Sequence, residues 1–203
     1  MNDVFEYLFP SMMLMWICFI ANGTFADIFE EYKARTIHRV LTSGITLGEI
    51  LASKILRCLA ICWICELILI LLTRVVFDVG WKNPLMLFVI LTSFNTCLIG
   101  FLSLIYGYAR STETANSMII FLLLISGFLG GAFMPFSELP RALKTVGQWS
   151  MIRLGHYGIE SLIRTRPLWE TVRPSLILIG AGLVLMGLGV RVMRQRFESG
   201  NVT

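Results

Sequence analysis

Glu66 is the residue of this chain whose chemistry is most at odds with its surroundings. It stands in the run CLAICWICELILILL, with apolar residues on both sides. A charged side chain at the middle of a bilayer costs about 2.5–3.5 kcal/mol or more, so it must face a protein interior, pair, or hold a proton. Two readings stay open. Glu66 lines a route for a polar cargo, or its protonated carboxyl hydrogen-bonds between helices. The same run holds Cys62 and Cys65 in a C-x-x-C pattern that could point to redox or metal chemistry. A thiolate is disfavoured in apolar surroundings, and Cys58, Cys62 and Cys65 follow helical spacing, so these cysteines read as a packing face. His38 and His156 sit in different connecting segments, and no carboxylate or thiol cluster joins them. No G-x-x-x-x-G-K-[ST] occurs, so the chain has no P-loop for ATP. No nucleophile, base or metal set converges, and the reading is not that of an enzyme.

The elements that must hold these residues are apolar and long. The chain has 203 residues, 56% hydrophobic and 15% charged. Soluble domains run to about 25% charged, so lipid is the solvent for most of this chain. A spanning helix needs roughly 20 apolar residues. Five stretches meet or approach that, at about 8–25, 55–77, 84–108, 117–136 and 174–192. Helices are expected, because open strands would leave backbone groups unpaired in lipid. The expected fold is all-α, a polytopic transmembrane bundle forming one domain over 1–203. The net charge of +4 calls for no nucleic-acid partner. Lys33, Arg35, Arg39 and Lys54 favour a cytoplasmic 26–54 loop, with the N-terminus outside and the C-terminus inside the cell's plasma (inner) membrane. Asn95 lies in the third span with Thr92, Ser93 and Thr96, residues that mark helix contacts or cargo contacts in membranes.

Two segments break the pattern of plain spans. In the 26–54 loop, Ile28, Phe29, Tyr32, Ile37, Val40 and Leu41 fall on one helical face, with Glu30, Lys33, Arg35 and Arg39 mostly off it. That describes an amphipathic helix on the membrane surface. Gly44 suits a left-handed turn after it, and Thr46 with Glu49 reads as a capping box opening a second helix. The other segment is SGFLGGAFMPFSELP, residues 126–140. Gly127, Gly130 and Gly131 permit close backbone approach, and Pro135 and Pro140 prevent a regular helix. The fourth span is therefore expected to end early and lead into a short re-entrant or extracytoplasmic helical segment over 137–173.

These two segments resemble a known family. EEYKARTIHRVLTSGITLGEILASKIL is similar to the first cytoplasmic loop of ABC-2 type export permeases, with Glu31, Thr36, Arg39, Ser43 and Lys54 at matching positions. Arg35 stands where that family prefers glycine, and Gly44 where it prefers proline. SGFLGGAFMPFSELP resembles the family's Ser-Gly, aromatic-proline, proline signature. Longer members begin with one more span and often an extracytoplasmic domain, so this chain is expected to be a short permease or part of a longer one. The resemblance implies a membrane subunit of an ATP-driven exporter, with ATP bound by a partner subunit and no cofactor in this chain. It implies docking of an ABC ATPase at Glu31, Thr36, Arg39, Ser43 and Lys54. It also implies a second permease half, as homodimer or heterodimer, in membrane lipid. Within that frame Glu66 and Asn95 become candidates for the translocation route, and Phe133, Met134 and Phe136 for an apolar outer gate. The alternative is a membrane assembly or immunity module that uses the same fold without transporting anything.

Overall fold

The computed structural model describes residues 2–33, 44–77, 83–109, 111–133, 136–164 and 166–198. Its elements are α1 (Asn2–Lys33), α2 (Leu47–Phe77), α3 (Pro84–Tyr108), α4 (Thr112–Gly130), a 3₁₀ turn (Phe136–Glu138), α5 (Arg141–Gly147), α6 (Met151–Ile163) and α7 (Leu168–Glu198). Among the described residues there is no strand. α1, α2, α3, α4 and α7 are each long and apolar enough to cross a membrane.

Local chemistry sets the ends of these helices. Asn83 accepts from the Met86 N–H at 3.2 Å, and Pro84 follows in the first turn, where its missing N–H costs nothing. Ser111 caps α4 by accepting from the Thr114 N–H at 3.1 Å. α4 therefore covers Thr112–Gly130, not the 117–136 expected from hydropathy. It stops at Gly131, whose φ of 88° is the left-handed cap that glycine adopts without penalty. The Ala132 N–H then returns to the Gly127 carbonyl at 2.8 Å. The terminator is thus the glycine, four residues before Pro135. α7 begins at Leu168, six residues ahead of the expected start, and carries Pro174 inside it. A proline in the second turn of a helix loses one hydrogen bond without stopping propagation.

α3 is the centre of the bundle. It packs against α7 along most of its length and also touches α1, α2, α4 and α6. Its buried face carries Ile90, Leu91, Phe94, Leu98 and Leu102, and these join Leu14, Ile17 and Phe25 of α1. α3 and α7 run parallel, and their backbones nearly touch. A Cβ on Gly182 would lie 2.6 Å from the Cys97 nitrogen, and one on Gly189 would lie 2.5 Å from the Ser103 carbonyl carbon. Glycine at both positions permits this approach, which is how membrane helices gain van der Waals contact when lipid supplies no hydrophobic drive.

The segment expected to be re-entrant or extracytoplasmic holds α5 and α6, and α6 is the one that packs into the bundle. Its buried side carries Ile152, Gly155, His156, Gly158 and Ile159. Gly155 lies against Leu14 and Phe94, and Gly158 against Ile90. Ile90 and Phe94 are about 9 and 15 Å along α3 from its start, at a 1.5 Å rise per residue. α6 therefore enters the bundle to that depth and does not lie on top of it. Trp149 and Trp169 flank it, both exposed as an interfacial belt requires.

The glycine seam makes a direct prediction. Gly182→Ala should lower thermal stability in detergent by about 1–3 kcal/mol, the usual cost of overpacking. Gly187→Ala, with nothing within 4 Å of the added carbon, should leave stability unchanged. Equal melting temperatures for the two variants would refute the close approach.

Candidate functional site

Three places carry the residues that the sequence singles out. The first is the base of the 26–54 loop. Its residues 34–43, with Thr36, Arg39 and Ser43, lie outside the described residues. Glu31 lies in the last turn of α1, so residues 26–33 extend the first span's helix and do not form a separate one. The other end of the loop is sharply defined. Gly44 has a φ of 87°, the left-handed turn expected there. Thr46 donates its N–H and its hydroxyl to Glu49 Oε2 at 2.8 and 2.9 Å, and the Glu49 N–H returns to Thr46 Oγ1 at 3.4 Å. This reciprocal cap opens α2, which then continues unbroken to Phe77. The second helix expected after the turn is therefore the first part of the span itself. Arg57 of α2 holds Asp27 of α1 at 3.1 Å, both half exposed. Lys54 is half-buried one turn before that pair.

The second place is the seam between α2 and α3. Glu66 is 2% exposed and Asn95 is fully buried. The Glu66 carboxyl faces the Asn95 amide. The two groups are each other's neighbour across the seam, without an aligned hydrogen bond between them. Trp63 lies one turn before Glu66, and its ring packs on Phe88 with centroids 5.6 Å apart. Phe88, Thr92 and Asn95 share one face of α3 at i, i+4 and i+7. The Trp63 Nε1 and Thr92 Oγ1 are also buried and unpaired. The neighbouring hydroxyls differ. Ser93, Thr96 and Ser103 donate to the carbonyls of Val89, Thr92 and Ile99 at 2.6, 2.8 and 2.6 Å. Those three bond back into their own helix. Trp63 was not singled out by sequence reasoning. The signal that could have found it is its i, i−3 spacing from Glu66.

The third place is the 131–166 segment. Ser150 donates to the Ser126 carbonyl at 2.9 Å and fastens the segment to α4. The Arg153 guanidinium lies 4.2 Å above the Phe136 ring and 3.8 Å from Glu160. Tyr157 donates to Glu170 at 3.2 Å, and Ser161 pairs with Thr171 at 2.8 Å, which ties α6 to α7. Phe133 is half exposed, and its ring edge lies by Gly127 beside the Met15 thioether. Phe136 instead packs toward Gly147 beneath Arg153. The two rings are therefore held on different neighbours, while Met134 and Pro135 lie outside the described residues. Pro140 is the exposed residue that opens α5.

The remaining sequence candidates resolve as structure. Cys58 and Cys62 are buried against the bundle, as a packing face requires. Asn22, part of a glycosylation-like triplet, is buried and accepts from the Tyr106 hydroxyl at 3.1 Å. Among the described residues, no group of three His, Cys, Asp or Glu is placed to hold a metal ion.

Comparison with known proteins agrees with this architecture. The sequence matches the family described as ABC-2 family transporter protein over residues 1–191. It is similar to the linearmycin resistance permease protein LnrN of Bacillus subtilis (strain 168). The two are 22% identical over 150 residues, which is 74% of this chain and 39% of that protein. The chain thus spans about two fifths of the length of that relative. No solved structure matches it.

The Asp27–Arg57 pair predicts a charge-swap result. A partly exposed pair contributes only about 0.2–1 kcal/mol, so Asp27→Arg should barely change the melting temperature. It should nonetheless splay α1 from α2 beside the loop and raise proteolytic cleavage within 34–46. The double variant Asp27→Arg/Arg57→Asp should restore resistance. Cleavage that stays high in the double variant would show that the pair does not hold the loop base.

Proposed function

The chain belongs to the ABC-2 family of transporter proteins, and from that premise we propose that it is the membrane-spanning subunit of an ATP-driven exporter whose ATPase is a separate polypeptide. The observation that carries this reading is the construction of α2. One end is capped at Thr46 and Glu49 and clasped to α1 by Arg57. The same unbroken helix carries Glu66 about 28 Å further on, at 1.5 Å per residue. A partner that pushes on the loop moves a rigid rod, and the rod moves a polar seam inside the bilayer. That is what coupling a soluble ATPase to a membrane route requires.

In this reading the 26–54 loop faces the cytoplasm, with the N-terminus outside and the C-terminus inside. Glu31, Thr36, Arg39, Ser43 and Lys54 dock the ATPase, and the basic residues of the loop favour that side. A second permease half, identical or not, and lipid cover the apolar faces that a single copy leaves open. On α2 that face includes Leu67, Ile68, Leu71 and Leu72, and only 17% of the span is buried. The α4–α6 segment closes the outer end, with Phe133, Met134 and Phe136 as its apolar seal.

The test is co-purification with the cognate ABC ATPase, followed by ATP-dependent export from proteoliposomes holding both. Arg39→Glu and Glu31→Lys should each abolish ATPase retention without lowering expression. Phe133→Ala/Phe136→Ala should change export while leaving ATPase retention intact. Full retention by both loop variants would refute the docking assignment, and unchanged export in the double phenylalanine variant would refute the gate.

A further inference from the structure

Basic residues of a membrane bundle usually gather at one end, the cytoplasmic one. Here both ends carry them. The end away from the 26–54 loop holds Arg141, Lys144, Arg153, Arg164, Arg166 and Arg173 against Glu138, Glu160 and Glu170. Where α6 hands over to α7, four guanidinium groups stand beside two carboxylates. Glu160 takes Arg153 at 3.8 Å and Arg164 at 3.1 Å, and Glu170 takes Arg166 at 3.3 Å. Arg173 is exposed and makes no ion pair among the described residues.

α7 places that charge at the head of an open apolar face. Trp169, Arg173, Leu176, Gly180 and Val184 follow at i, i+4, i+7, i+11 and i+15, along one side of the helix. Gly182 and Gly189, which rest on α3, lie on the other side. Trp169, Leu176 and Val184 are exposed, and a carbon added at Gly180 meets nothing within 4 Å. From Arg173 to Val184 is about 16 Å at a 1.5 Å rise, close to half of the roughly 30 Å hydrocarbon core. The face therefore runs from headgroup level to the bilayer centre within one leaflet.

A phospholipid fits this order of chemistry. Its phosphate meets the guanidinium, which can hold it by two parallel N–H bonds. Its ester region meets the indole, whose ring suits the interface. An acyl chain then lies along Leu176 and Val184, over the notch that Gly180 leaves. A net-negative headgroup is favoured over a zwitterion, because choline would bring a second cation to a cluster that already has surplus positive charge. We propose that Arg173 and Trp169, at the head of the outward face of α7, hold an anionic phospholipid. Such binding needs neither the ATPase nor a particular end of the bundle to face the cytoplasm.

The experiment uses the full chain in phosphatidylcholine nanodiscs, doped with phosphatidylglycerol or phosphatidylcholine brominated on the acyl chain. The signal is the part of the tryptophan fluorescence that Trp169→Phe removes. Brominated phosphatidylglycerol should quench it at a several-fold lower mole fraction than brominated phosphatidylcholine. A basic residue near an anionic membrane surface gives about a fivefold gain in binding, so Arg173→Gln should shrink the difference by about that factor. Arg173→Lys should keep part of it. Arg191→Gln, the same charge change near the other end of α7, should leave it unchanged. Thermal melts establish that each variant is folded. Equal quenching by the two lipids would overturn the site, as would a preference that survives intact in Arg173→Gln. Shielding of Trp169 from both lipids would overturn it in favour of a second copy of the chain on this face.

Discussion

The backbone contact between α3 and α7 is the constraint on which the other elements depend. In lipid, apolar side chains gain nothing by leaving their solvent, so helices associate through close packing and internal hydrogen bonds. Gly182 and Gly189 let the α7 backbone rest on Thr96–Cys97 and Ser103–Leu104 of α3. No side chain intervenes, so the pair has little freedom to slide or tilt. α1 and α6 then pack on the remaining faces of α3, with Leu14 and Phe94 meeting at Gly155. The core is fixed from its centre outward, and α2 and α4 are left at the margin.

That division explains where polar groups are tolerated. A hydroxyl facing the tight seam must satisfy itself at home, and Ser103 does so on the Ile99 carbonyl. α6 packs inside the bundle, and its polar side chains find partners in neighbouring elements, Ser161 on Thr171 and Tyr157 on Glu170. Irregular backbone in a membrane survives when protein covers it. The α2–α3 seam follows neither pattern. It is buried and polar, Glu66 faces Asn95 across it, and one of its walls is the least buried of the five long helices.

Much of this was legible in the sequence because it rests on local rules. The helical class and the five apolar helices follow from hydropathy, and α3 spans the expected residues because Asn83 and Pro84 announce its start. The Gly44 turn and the Thr46–Glu49 cap are short-range hydrogen-bond chemistry that residue types declare. The misplaced ends have physical causes. Pro135 looks like a terminator, but Gly131 acts first, since a left-handed cap takes up the free carbonyls of Gly127 and Phe128. Pro174 looks like a beginning, but a helix started at Leu168 absorbs it. Glu66 and Asn95 were each conspicuous alone. Their meeting was not legible, because it depends on the rotation of α2 about α3, which no local pattern states. Trp63 was hidden for the same reason, reading as one more aromatic in an apolar run.

The continuity of α2 matters more for mechanism than any single residue on it. Had the second helix after Gly44 been a separate surface element, motion of the loop would be lost at a flexible joint before reaching the bilayer. The Thr46–Glu49 cap moves any joint to the loop side of Leu47, and the helix beyond it transmits force along its hydrogen-bonded axis. The Asp27–Arg57 clasp sits near that end and joins α2 to α1, and both helices give residues to the core, Leu14 and Ile17 from α1 and Cys58 and Cys62 from α2. Glu66 lies nine residues beyond Arg57 on the same helix. The buried carboxyl therefore stands on the same unbroken helix that the loop cap opens, and it meets α3 at a polar contact inside the bundle.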